Sequence, residues 1–459
     1  MNNQYQVKKT NAPVNWTVTV PGSKSMTNRA LLMAALSDGK VAVEGILFSD
    51  DSRHLLSSLE ALGFELEIDE PGRRVHVTGC NGEIPCKEVE INVGSAGTAA
   101  RFLTAMLGFS DGVYTVQASE QMKKRPMQQL FALLADAGAR ITYLEEEGHL
   151  PVRIEGCRLG TKDGQEAEPG QTSGEMQQPL ELELDISKST QFLSALLLVT
   201  PMIKQGLSVR ITSRKTDGSY IRITRNMMEE FGVSIQYDGR NYKVAPGAAY
   251  HIDRYKVEPD VSAACYFYAA AALTGGRTLV WNIHGDNTQG DMRFLEVLRM
   301  MGCAVVEGIL GITVVGPDSG MLRGISIDMN DFSDQALTLA AIAPFAKSPV
   351  HIRGIGHIRE QECDRIHAIV AELTKLGVLC DEEPDAVTIY PGMPHGGVVE
   401  TYEDHRVAMA FSLLGLRTEG IVIDNPKCCG KTFEAYFEIL DKLIEENLAE
   451  GKTAPVDCD

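Results

Sequence analysis

An internal repeat is the feature that most constrains the fold of this chain. One pattern occurs six times: a strand, a short turn of small residues, and then a helix rich in Ala and Leu. The six helices begin near SKSMTNRALLMAAL, SAGTAARFLTAML, SKSTQFLSALLLV, DVSAACYFYAAAAL, DFSDQALTLAAIA and TYEDHRVAMAFSLLGL. Repetition of one unit predicts an architecture in which the same packing recurs along the chain.

A second, more amphipathic helix follows the first helix in each repeat. In five repeats we expect this helix to end at a glycine, the residue that most readily adopts the left-handed conformation after a helix. These glycines are Gly63, Gly138, Gly232, Gly302 and Gly377. The second helix of the sixth repeat is TFEAYFEILDKLIEENL. Strands that alternate with helices in this way predict an α/β protein.

The length of the chain, 459 residues, predicts two or three domains. Three repeats per domain would place the midpoint near residues 257–259. The spacing between repeats is irregular only around the polar stretch 160–178, which we interpret as a surface loop insertion. A doubly wound sheet would give the same alternation of strands and helices, so the spacing leaves both architectures open.

Composition and charge exclude several classes of function. The formal net charge of −19 argues against binding to nucleic acid or to an anionic membrane surface. No apolar run reaches the roughly 18 residues that a membrane span needs. The first residues, MNNQYQVKKTNAPVNW, lack the apolar segment of a signal peptide, so we expect a cytoplasmic protein. Ten scattered cysteines without a C-x-x-C pair argue against a zinc site or a disulfide framework.

Basic residues are predicted at several helix starts, where bare N–H groups and the helix dipole favour acidic residues instead. They are Lys24, Arg29, Arg101, Arg125, Arg365, Arg406 and Lys431. A single such residue is more often a solvated side chain or a weak surface ion pair. Seven together indicate an anionic ligand, because phosphate or carboxylate oxygens accept hydrogen bonds from helix N–H groups and cations alike.

Three residues near these cations are candidates for acid–base chemistry. Asp334 and Glu362 carry carboxylates, which stay ionised among cations and serve as bases, or take up a proton when substrate anions arrive. His405 is the third candidate. Each has a structural alternative: Ser333 or Asp334 as a helix cap, Glu362 as the partner of Arg365 at i, i+3, and His405 as a buried structural histidine.

Eight motifs, spread in order over nearly the whole chain, resemble those of one enzyme family. They are PGSKSMTNRALLMAAL, SAGTAARF, KKRPMQQL, SKSTQFLSALLL, DMNDFSDQALTLAA, ECDRIHAIVAELTKLG, TYEDHRVAMAFSL and NPKCCGKTF. The family is that of the 5-enolpyruvylshikimate-3-phosphate (EPSP) synthases, and the match runs from about Pro21 to Leu440.

The resemblance implies a two-domain enolpyruvyl transferase fold, an inside-out α/β barrel. Six βαβαββ units, three per domain, would flank an active site in the interdomain cleft. The implied N-terminal domain covers residues 22–257, mainly on the shikimate 3-phosphate side. The implied C-terminal domain covers residues 1–21 and 258–459 and supplies much of the phosphoenolpyruvate side.

The resemblance also implies the reaction of a 3-phosphoshikimate 1-carboxyvinyltransferase. The enolpyruvyl group of phosphoenolpyruvate is transferred to the 5-hydroxyl of shikimate 3-phosphate through a tetrahedral intermediate, and phosphate is released. This step belongs to the shikimate pathway of aromatic amino acid biosynthesis and is the target of glyphosate. The family pattern implies no metal or organic cofactor, no nucleic acid or membrane partner, and a monomer.

Site residues follow by position in the motifs. The implied phosphoenolpyruvate contacts are Lys24, Gly97, Arg125, Gln191, Arg365, Arg406 and Lys431. The implied shikimate 3-phosphate contacts are Ser25, Arg29, Ser189, Thr190, Gln191, Asp334 and Gln361. The expected catalytic groups are Asp334 at the 5-hydroxyl, Glu362 at C3 of phosphoenolpyruvate, Lys24 and Lys431 as proton donors, and His405.

The chain departs from the commonest family pattern at several of these positions. Ser95 replaces an asparagine, and Gln361 replaces a lysine on the shikimate phosphate side, whose charge we expect Arg359 to supply. One alternative function is the related UDP-N-acetylglucosamine enolpyruvyl transferase, which typically begins P-G-A-K-N-A and carries a catalytic Cys or Asp on a loop. The matching stretch here, QASEQMKKRPM, has no cysteine. A second alternative is a non-catalytic repeat scaffold.

Overall fold

The computed structural model describes residues 3–157, 178–317 and 321–450. The chain divides into two compact units. We name them the N-terminal unit, Gly22–Glu258, and the C-terminal unit, Met1–Pro21 with Pro259–Asp459. The predicted insertion at 160–178 lies outside the described residues except for Gln178.

The strands are short. In chain order they are β1 (Gln4–Gln6), β2 (Asn15–Val18), β3 (Lys40–Glu44), β4 (Glu65–Asp69), β5 (Arg74–Thr78), β6 (Glu88–Asn92), β7 (Val113–Gln117), β8 (Arg140–Tyr143), β9 (Val152–Glu155), β10 (Leu180–Leu184), β11 (Leu207–Ile211), β12 (Gln236–Tyr237), β13 (Asn241–Val244), β14 (Arg254–Lys256), β15 (Arg277–Trp281), β16 (Ala304–Gly308), β17 (Gly311–Val315), β18 (Ser326–Asp328), β19 (Val350–Arg353), β20 (Cys380–Glu382), β21 (Ala386–Ile389), β22 (Gly397–Val399) and β23 (Ile421–Asp424).

The helices alternate with these strands. They are α1 (Lys24–Leu36), α2 (Asp50–Ala61), α3 (Gly97–Gly108), α4 (Glu120–Lys123), α5 (Gln128–Asp136), α6 (Gln191–Leu198), α7 (Ser219–Glu230), α8 (Val261–Thr274), α9 (Phe294–Met300), α10 (Ala336–Ile342), α11 (Arg365–Lys375), α12 (His405–Gly415) and α13 (Tyr436–Glu450). Short 3-10 turns precede several of them, among them Gly290–Arg293, Ser333–Gln335 and Pro426–Lys431. Within the described ranges, no helix is both long enough and apolar enough to cross a membrane.

The described strands form six sheets, of which five repeat one topology. In these five, two parallel strands lie beside an antiparallel hairpin, as in a βαβαββ unit. The five sheets have the orders β14-β3-β5-β4, β6-β7-β9-β8, β10-β11-β13-β12, β2-β15-β17-β16 and β18-β19-β21-β20. The sixth departs from the predicted unit: it has three strands, with β1 antiparallel to β23 where the other sheets place a hairpin strand.

Three edge strands pair with strands that are distant in the sequence, and β1, which lies beside β23, is one of them. β2 precedes α1 along the chain but pairs in parallel with β15, with Trp16 opposite Thr278. β14 precedes α8 but pairs in parallel with β3, with Tyr255 opposite Val43. The N-terminal unit therefore has one sheet, and the C-terminal unit two, that a distant strand completes, and each unit contains residues from more than one repeat.

The first helix of each repeat is buried on all sides. Every residue of α3 and α12 is buried, as is nearly every residue of α8. In the N-terminal unit α1, α3 and α6 pack against one another, and in the C-terminal unit α8, α10 and α12 do the same. A helix without a solvent face needs no polar stripe, and its alanines let neighbouring helices approach closely, which explains the Ala- and Leu-rich composition.

The second helices end as the sequence predicts. Gly63, Gly138, Gly232, Gly302 and Gly377 have φ values of 90°, 104°, 92°, 105° and 86°. The same two hydrogen bonds recur at each: after α9, the Gly302 N–H donates to the Arg299 carbonyl (3.0 Å) and the Cys303 N–H to the Leu298 carbonyl (2.9 Å). This pair satisfies carbonyls that the helix end would otherwise leave without a donor.

We expect Gly302→Ala to lower the free energy of unfolding by about 1 kcal/mol, because an L-residue is strained in this left-handed conformation. A Cβ atom at Gly302 would meet no atom closer than 3.8 Å, so the effect isolates backbone strain. Gly39→Ala is the matched control, since it adds a Cβ atom in open space and Gly39 lacks a positive φ. Urea denaturation measures both, and equal stabilities would contradict the prediction.

Candidate active site

A buried arginine organises the C-terminal unit. Arg365 is the first residue of α11, and Asp364 caps that helix by accepting the His367 N–H. The guanidinium of Arg365 contacts the carboxylate of Asp404 through two hydrogen bonds, Nε to Oδ2 at 2.8 Å and Nη2 to Oδ1 at 3.3 Å. Asp404 also caps α12 by accepting the Arg406 N–H. One ion pair thus joins the starts of two helices.

The same guanidinium binds both candidate bases. Arg365 Nη1 lies 3.0 Å from Asp334 Oδ1, and Nη2 lies 3.0 Å from Glu362 Oε2. Burial alone would lower the pKa of Arg365, but the carboxylates of Asp404, Glu362 and Asp334 outweigh it and raise this pKa. Arg365 therefore stays a cation although it is almost completely buried.

Each candidate base has a second cation. Asp334 Oδ2 accepts from Arg406 Nη2 at 2.9 Å, and Glu362 Oε1 lies 3.2 Å from Lys431 Nζ. Ion pairs of this kind favour the charged forms of both partners. We call the following set the C-terminal cluster: Asp334, Glu362, Arg365, Asp404, Arg406 and Lys431.

The structure decides between the alternatives for the candidate bases. Asp334 does not cap α10, because it lies in the 3-10 turn Ser333–Gln335 and no side chain caps that helix. Glu362 does pair with Arg365 at i, i+3, but it also binds Lys431, so the pair is part of a larger network. His405 is the first residue of α12; its ring is buried, with Nδ1 3.7 Å from Asp404 Oδ1.

Gln361 and Arg359 both have partners within the C-terminal unit. The side-chain oxygen of Gln361 accepts a hydrogen bond from Arg365 Nη1. Arg359 is held elsewhere: its Nη1 lies 2.8 Å from Asp364 and 2.9 Å from Glu382, and its Nη2 donates to the Glu383 carbonyl. Arg359 is thus paired with two acids, and its role in supplying the missing charge stays a prediction.

Asp291 is a buried acid near the cluster that the sequence reasoning missed. It lies in the 3-10 turn Gly290–Arg293, and its Oδ2 accepts hydrogen bonds from Ser262 Oγ and from Gln335 Nε2, the latter at 2.7 Å. Burial, helped by repulsion from Asp334, raises the pKa of Asp291 to about 6. The sequence signal was weak, because an acid before α9 resembles an ordinary first-turn residue.

In the N-terminal unit, Lys24 also lies beside an acid that the sequence did not indicate. Lys24 is the first residue of α1, and its Nζ is 3.4 Å from Asp51 Oδ2 in α2. Asp51 is almost fully buried. Its place in the first turn of α2 looks like a usual dipole partner, so only the tertiary structure reveals its pairing with Lys24.

The side chains of two arginines approach Gly97 closely. It is the first residue of α3, and its carbonyl accepts a hydrogen bond from Arg101 Nη1 at 2.9 Å. A Cβ atom at Gly97 would lie 2.5 Å from Arg125 Nη1 and 2.9 Å from Arg101 Nη1. The absence of a side chain lets both guanidinium groups approach this helix start.

Arg29 joins helices inside the N-terminal unit. Its Nε donates to Thr224 Oγ1 (2.8 Å), its Nη1 to the Ser25 carbonyl (2.8 Å), and its Nη2 to Ser194 Oγ (3.4 Å) and to the Tyr220 carbonyl (3.3 Å). Burial lowers its pKa to about 10. With only 1% of its surface exposed, Arg29 holds α1 against α6 and α7.

The remaining predicted contacts lie at the starts of α1 and α6. Ser25 follows Lys24 in α1, and its carbonyl is fixed by Arg29. Thr190 directly precedes α6, Gln191 is its first residue, and Ser189 Oγ accepts the Gln191 N–H at 3.2 Å. All four are only partly buried.

The placement of cations at helix starts was correct for three of the seven residues: Lys24, Arg365 and Arg406. The other four lie elsewhere. Arg29 and Arg101 belong to the second turns of α1 and α3. α5 begins at Gln128 rather than Pro126, which leaves Arg125 outside it, and Lys431 ends a 3-10 turn well before α13.

The His, Cys, Asp and Glu side chains bear on metal binding and on thiol reactivity. In the part of the chain that the structure describes, no group of three or more His, Cys, Asp or Glu is arranged to hold a metal ion. The cysteines of those residues are free thiols. Cys363 Sγ lies 3.6 Å from Asp404 Oδ2, and burial together with that carboxylate raises the pKa of the Cys363 thiol.

Comparison with known proteins decides the family. Residues 8–440 match the family model for EPSP synthase (3-phosphoshikimate 1-carboxyvinyltransferase). The chain belongs to the EPSP synthase family. It is therefore a member of a family of transferases.

Individual relatives of this chain support the same family. The 3-phosphoshikimate 1-carboxyvinyltransferase of Trichormus variabilis is 41% identical over 435 residues, which cover 95% of this chain and 97% of that protein. The solved structure of EPSP synthase from Acinetobacter baumannii matches with a TM-score of 0.76 at 25% identity, over 96% of this chain and 98% of that one. An enolpyruvyl transferase from Streptomyces tendae matches with a TM-score of 0.71 at 15% identity, over 96% and 98%, and shares the fold.

These structural matches confirm the predicted fold class. The chain has the α/β fold of the enolpyruvyl transferases, and the alternative of one doubly wound sheet is excluded by the six small sheets of the described residues. The family and the repeated units thus give one consistent picture of the architecture.

We expect the stability of this EPSP synthase family member to depend on the ionisation of Asp291. Its pKa in the folded chain, about 6, lies above the ordinary value of 3.8, so the native state binds the proton more tightly. The stability contributed by the protonated form is complete below about pH 4 and is lost as the pH rises through about 6.

The measurement compares wild type with Asp291→Asn by chemical denaturation at several pH values. The variant should gain stability relative to wild type between about pH 4 and pH 7. A difference in unfolding free energy that stays constant over this range would show that Asp291 does not titrate as described.

Proposed function

We propose that this chain transfers the enolpyruvyl group of phosphoenolpyruvate to the 5-hydroxyl of shikimate 3-phosphate and releases phosphate. The observation that carries the proposal is the C-terminal cluster, in which Asp334 and Glu362 each lie between two cations. Membership of the family supports the same reaction. The activity would belong to the shikimate pathway of aromatic amino acid biosynthesis.

Phosphoenolpyruvate would be bound as a phosphate and a carboxylate. Its proposed contacts are Lys24, Gly97, Arg125, Gln191, Arg365, Arg406 and Lys431. Arg406 and Lys431 have one carboxylate partner each among the ion pairs described above, whereas Arg365 has three. We therefore assign direct anion binding first to Arg406 and Lys431, and the orientation of the carboxylates to Arg365.

Shikimate 3-phosphate would meet hydroxyl and amide groups. Its proposed contacts are Ser25, Ser189, Thr190, Gln191, Asp334 and Gln361. Ser25 and the segment before α6 come from helix starts of the N-terminal unit, where N–H groups favour a phosphate. Arg29, because its donors are taken inside the unit, acts in this proposal by holding Ser25 and α6 in place.

The proposed chemistry uses the two carboxylates in turn. Asp334 accepts the 5-hydroxyl proton as that oxygen bonds to C2 of phosphoenolpyruvate, while the double-bond electrons take a proton at C3 from Glu362. In the second step Glu362 removes a C3 proton, the double bond forms again, and the bond from C2 to the phosphate oxygen breaks. Lys24 and Lys431 would protonate or neutralise the leaving phosphate. His405, whose Nδ1 lies 3.7 Å from Asp404 Oδ1, would help to hold Asp404 in position.

Glu362 must hold a proton for the first step, although Lys431 and Arg365 favour its carboxylate. An arriving anion that engages Lys431 weakens this ion pair, so substrate binding itself would let Glu362 take up a proton. The cations also supply the electrostatic stabilisation that a metal gives in other transferases. The proposed reaction therefore needs no metal or organic cofactor. The proposal also includes a cytoplasmic location and a monomeric state.

The first experiment measures phosphate release from phosphoenolpyruvate and shikimate 3-phosphate together. We expect release only when both substrates are present, and a decrease in rate of about 10²- to 10⁴-fold in Asp334→Asn and in Glu362→Gln. Asp328→Asn is the matched control, because this exposed acid lies in the same segment and caps a turn. Near-normal turnover in both variants would contradict the assigned roles.

The same assay distinguishes the alternatives. A non-catalytic scaffold would release no phosphate, and a UDP-N-acetylglucosamine enolpyruvyl transferase would release it only with the nucleotide sugar in place of shikimate 3-phosphate. Neither alternative is favoured by a feature of this structure.

A second variant tests the binding of phosphoenolpyruvate. Gly97→Ala places a Cβ atom within 2.5 Å of Arg125 Nη1, the mobile end of a side chain, so we expect an intact fold with a displaced guanidinium. The KM for phosphoenolpyruvate should rise about tenfold, equivalent to about 1.4 kcal/mol. Gly39→Ala, which meets no atom within 4 Å, should leave the KM unchanged. An unchanged KM in Gly97→Ala would remove Arg125 from the binding site.

A further inference from the structure

Asp291 connects three elements of the C-terminal unit. Its Oδ2 accepts from Ser262 in the first turn of α8 and from Gln335, which directly precedes α10. Its own 3-10 turn leads into α9. In the same segment, Gln289 accepts the Val261 N–H and donates to the Pro259 carbonyl at 2.7 Å, so this stretch also fixes the start of α8.

Gln335 links Asp291 to Asp334, the candidate base that precedes it in the chain. Its side chain is fully buried; Nε2 donates to Asp291 and Oε1 accepts from Thr338 Oγ1 at 2.9 Å. Without its partner the buried amide N–H would be left unsatisfied, which destabilises the position of Gln335. Asp334 is the preceding residue of the same short turn, so a shift of Gln335 moves the backbone that carries Asp334.

Charged and titratable groups surround Asp291 on several elements. Asp334 lies on the turn before α10, Arg406 on α12, Cys265 in α8 with Asp260 as its cap, and Arg293 on the turn of Asp291 itself. Asp334 repels the carboxylate of Asp291, and Arg406 attracts it. Asp291 and Asp334 therefore share the field of Arg406, although only Asp334 accepts a hydrogen bond from it at 2.9 Å.

We propose that Asp291 is a positioning residue for Asp334: by anchoring Gln335 and Ser262 it fixes the 3-10 turn Ser333–Gln335, so that the carboxylate of Asp334 stays between Arg365 and Arg406. This inference rests on the proposed role of Asp334 as the base at the 5-hydroxyl. Asp291 acts through Gln335 and does not itself touch substrate.

A double-mutant cycle tests the connection. Asp291→Ala removes the anchor, and we expect kcat to fall at least tenfold in the wild-type background. In the Asp334→Asn background the same change should alter kcat less than twofold, because the group that it positions is already absent. Asp291→Asn keeps an oxygen that accepts from Gln335 and Ser262, and should retain most of the wild-type kcat.

Controls separate this role from a general loss of stability. Glu372 is a buried acid of the same unit, bonded to Tyr402 and to the Glu400 N–H. Glu372→Ala should lower the unfolding midpoint but change kcat by the same factor in both backgrounds. Gln335→Met, which removes only the amide link, provides a second cycle that decides the matter if Asp291→Ala does not fold.

The outcomes are distinct. Equal losses of kcat in both backgrounds, or wild-type kcat in Asp291→Ala and Gln335→Met, would overturn the proposal while leaving the proposed function intact. If wild type releases no phosphate from the two substrates, the proposed function fails. The coupling between Asp291 and Asp334 is then tested by the unfolding midpoints of wild type, the two single variants and the double variant. Non-additive losses of stability support the coupling, and additive losses refute it.

Discussion

The contact on which the C-terminal unit depends most is the buried ion pair between Arg365 and Asp404. Removing two charges from water costs several kcal/mol per ion, and the cost is offset only where the remaining hydrogen-bonding groups are satisfied. Here Asp404 also caps α12, and the other donors of Arg365 bind Asp334 and Glu362. Loss of either partner would leave an uncompensated buried charge and release both candidate bases from their positions.

The repeated architecture explains why such contacts can form at helix starts. In each unit the three first helices are buried and pack against one another, and residues at their starts, such as Gly97, Val261 and His405, are buried. In the C-terminal unit, Arg406 in the first turn of α12 pairs with Asp334 in the 3-10 turn before α10. In the N-terminal unit Gly97 leaves space for Arg101 and Arg125 instead. One fold thus produces two different electrostatic environments.

Features that depend on local sequence were predictable, and features that depend on long-range pairing were not. The glycines after the second helices and the caps Asp364 and Asp404 follow from rules that act within one turn. Nothing local distinguishes Asp51 or Asp291 from an ordinary first-turn acid, because only the tertiary structure buries them. The helix starts near Arg125 and Lys431 were placed wrongly, since a proline and a 3-10 turn delay the helices that follow.

The cluster in this structure is close to electrically balanced, and this balance bears on how it would act. Three carboxylates, Asp334, Glu362 and Asp404, lie among three cations, Arg365, Arg406 and Lys431. An anionic substrate would therefore have to compete with carboxylates for Arg406 and Lys431. Asp404 would keep its pairing with Arg365 when the anion binds, because both side chains and their two hydrogen bonds are buried. The anion would replace Asp334 at Arg406 and Glu362 at Lys431, and these are the two groups that change protonation in the proposed reaction, so that binding and activation would become one event.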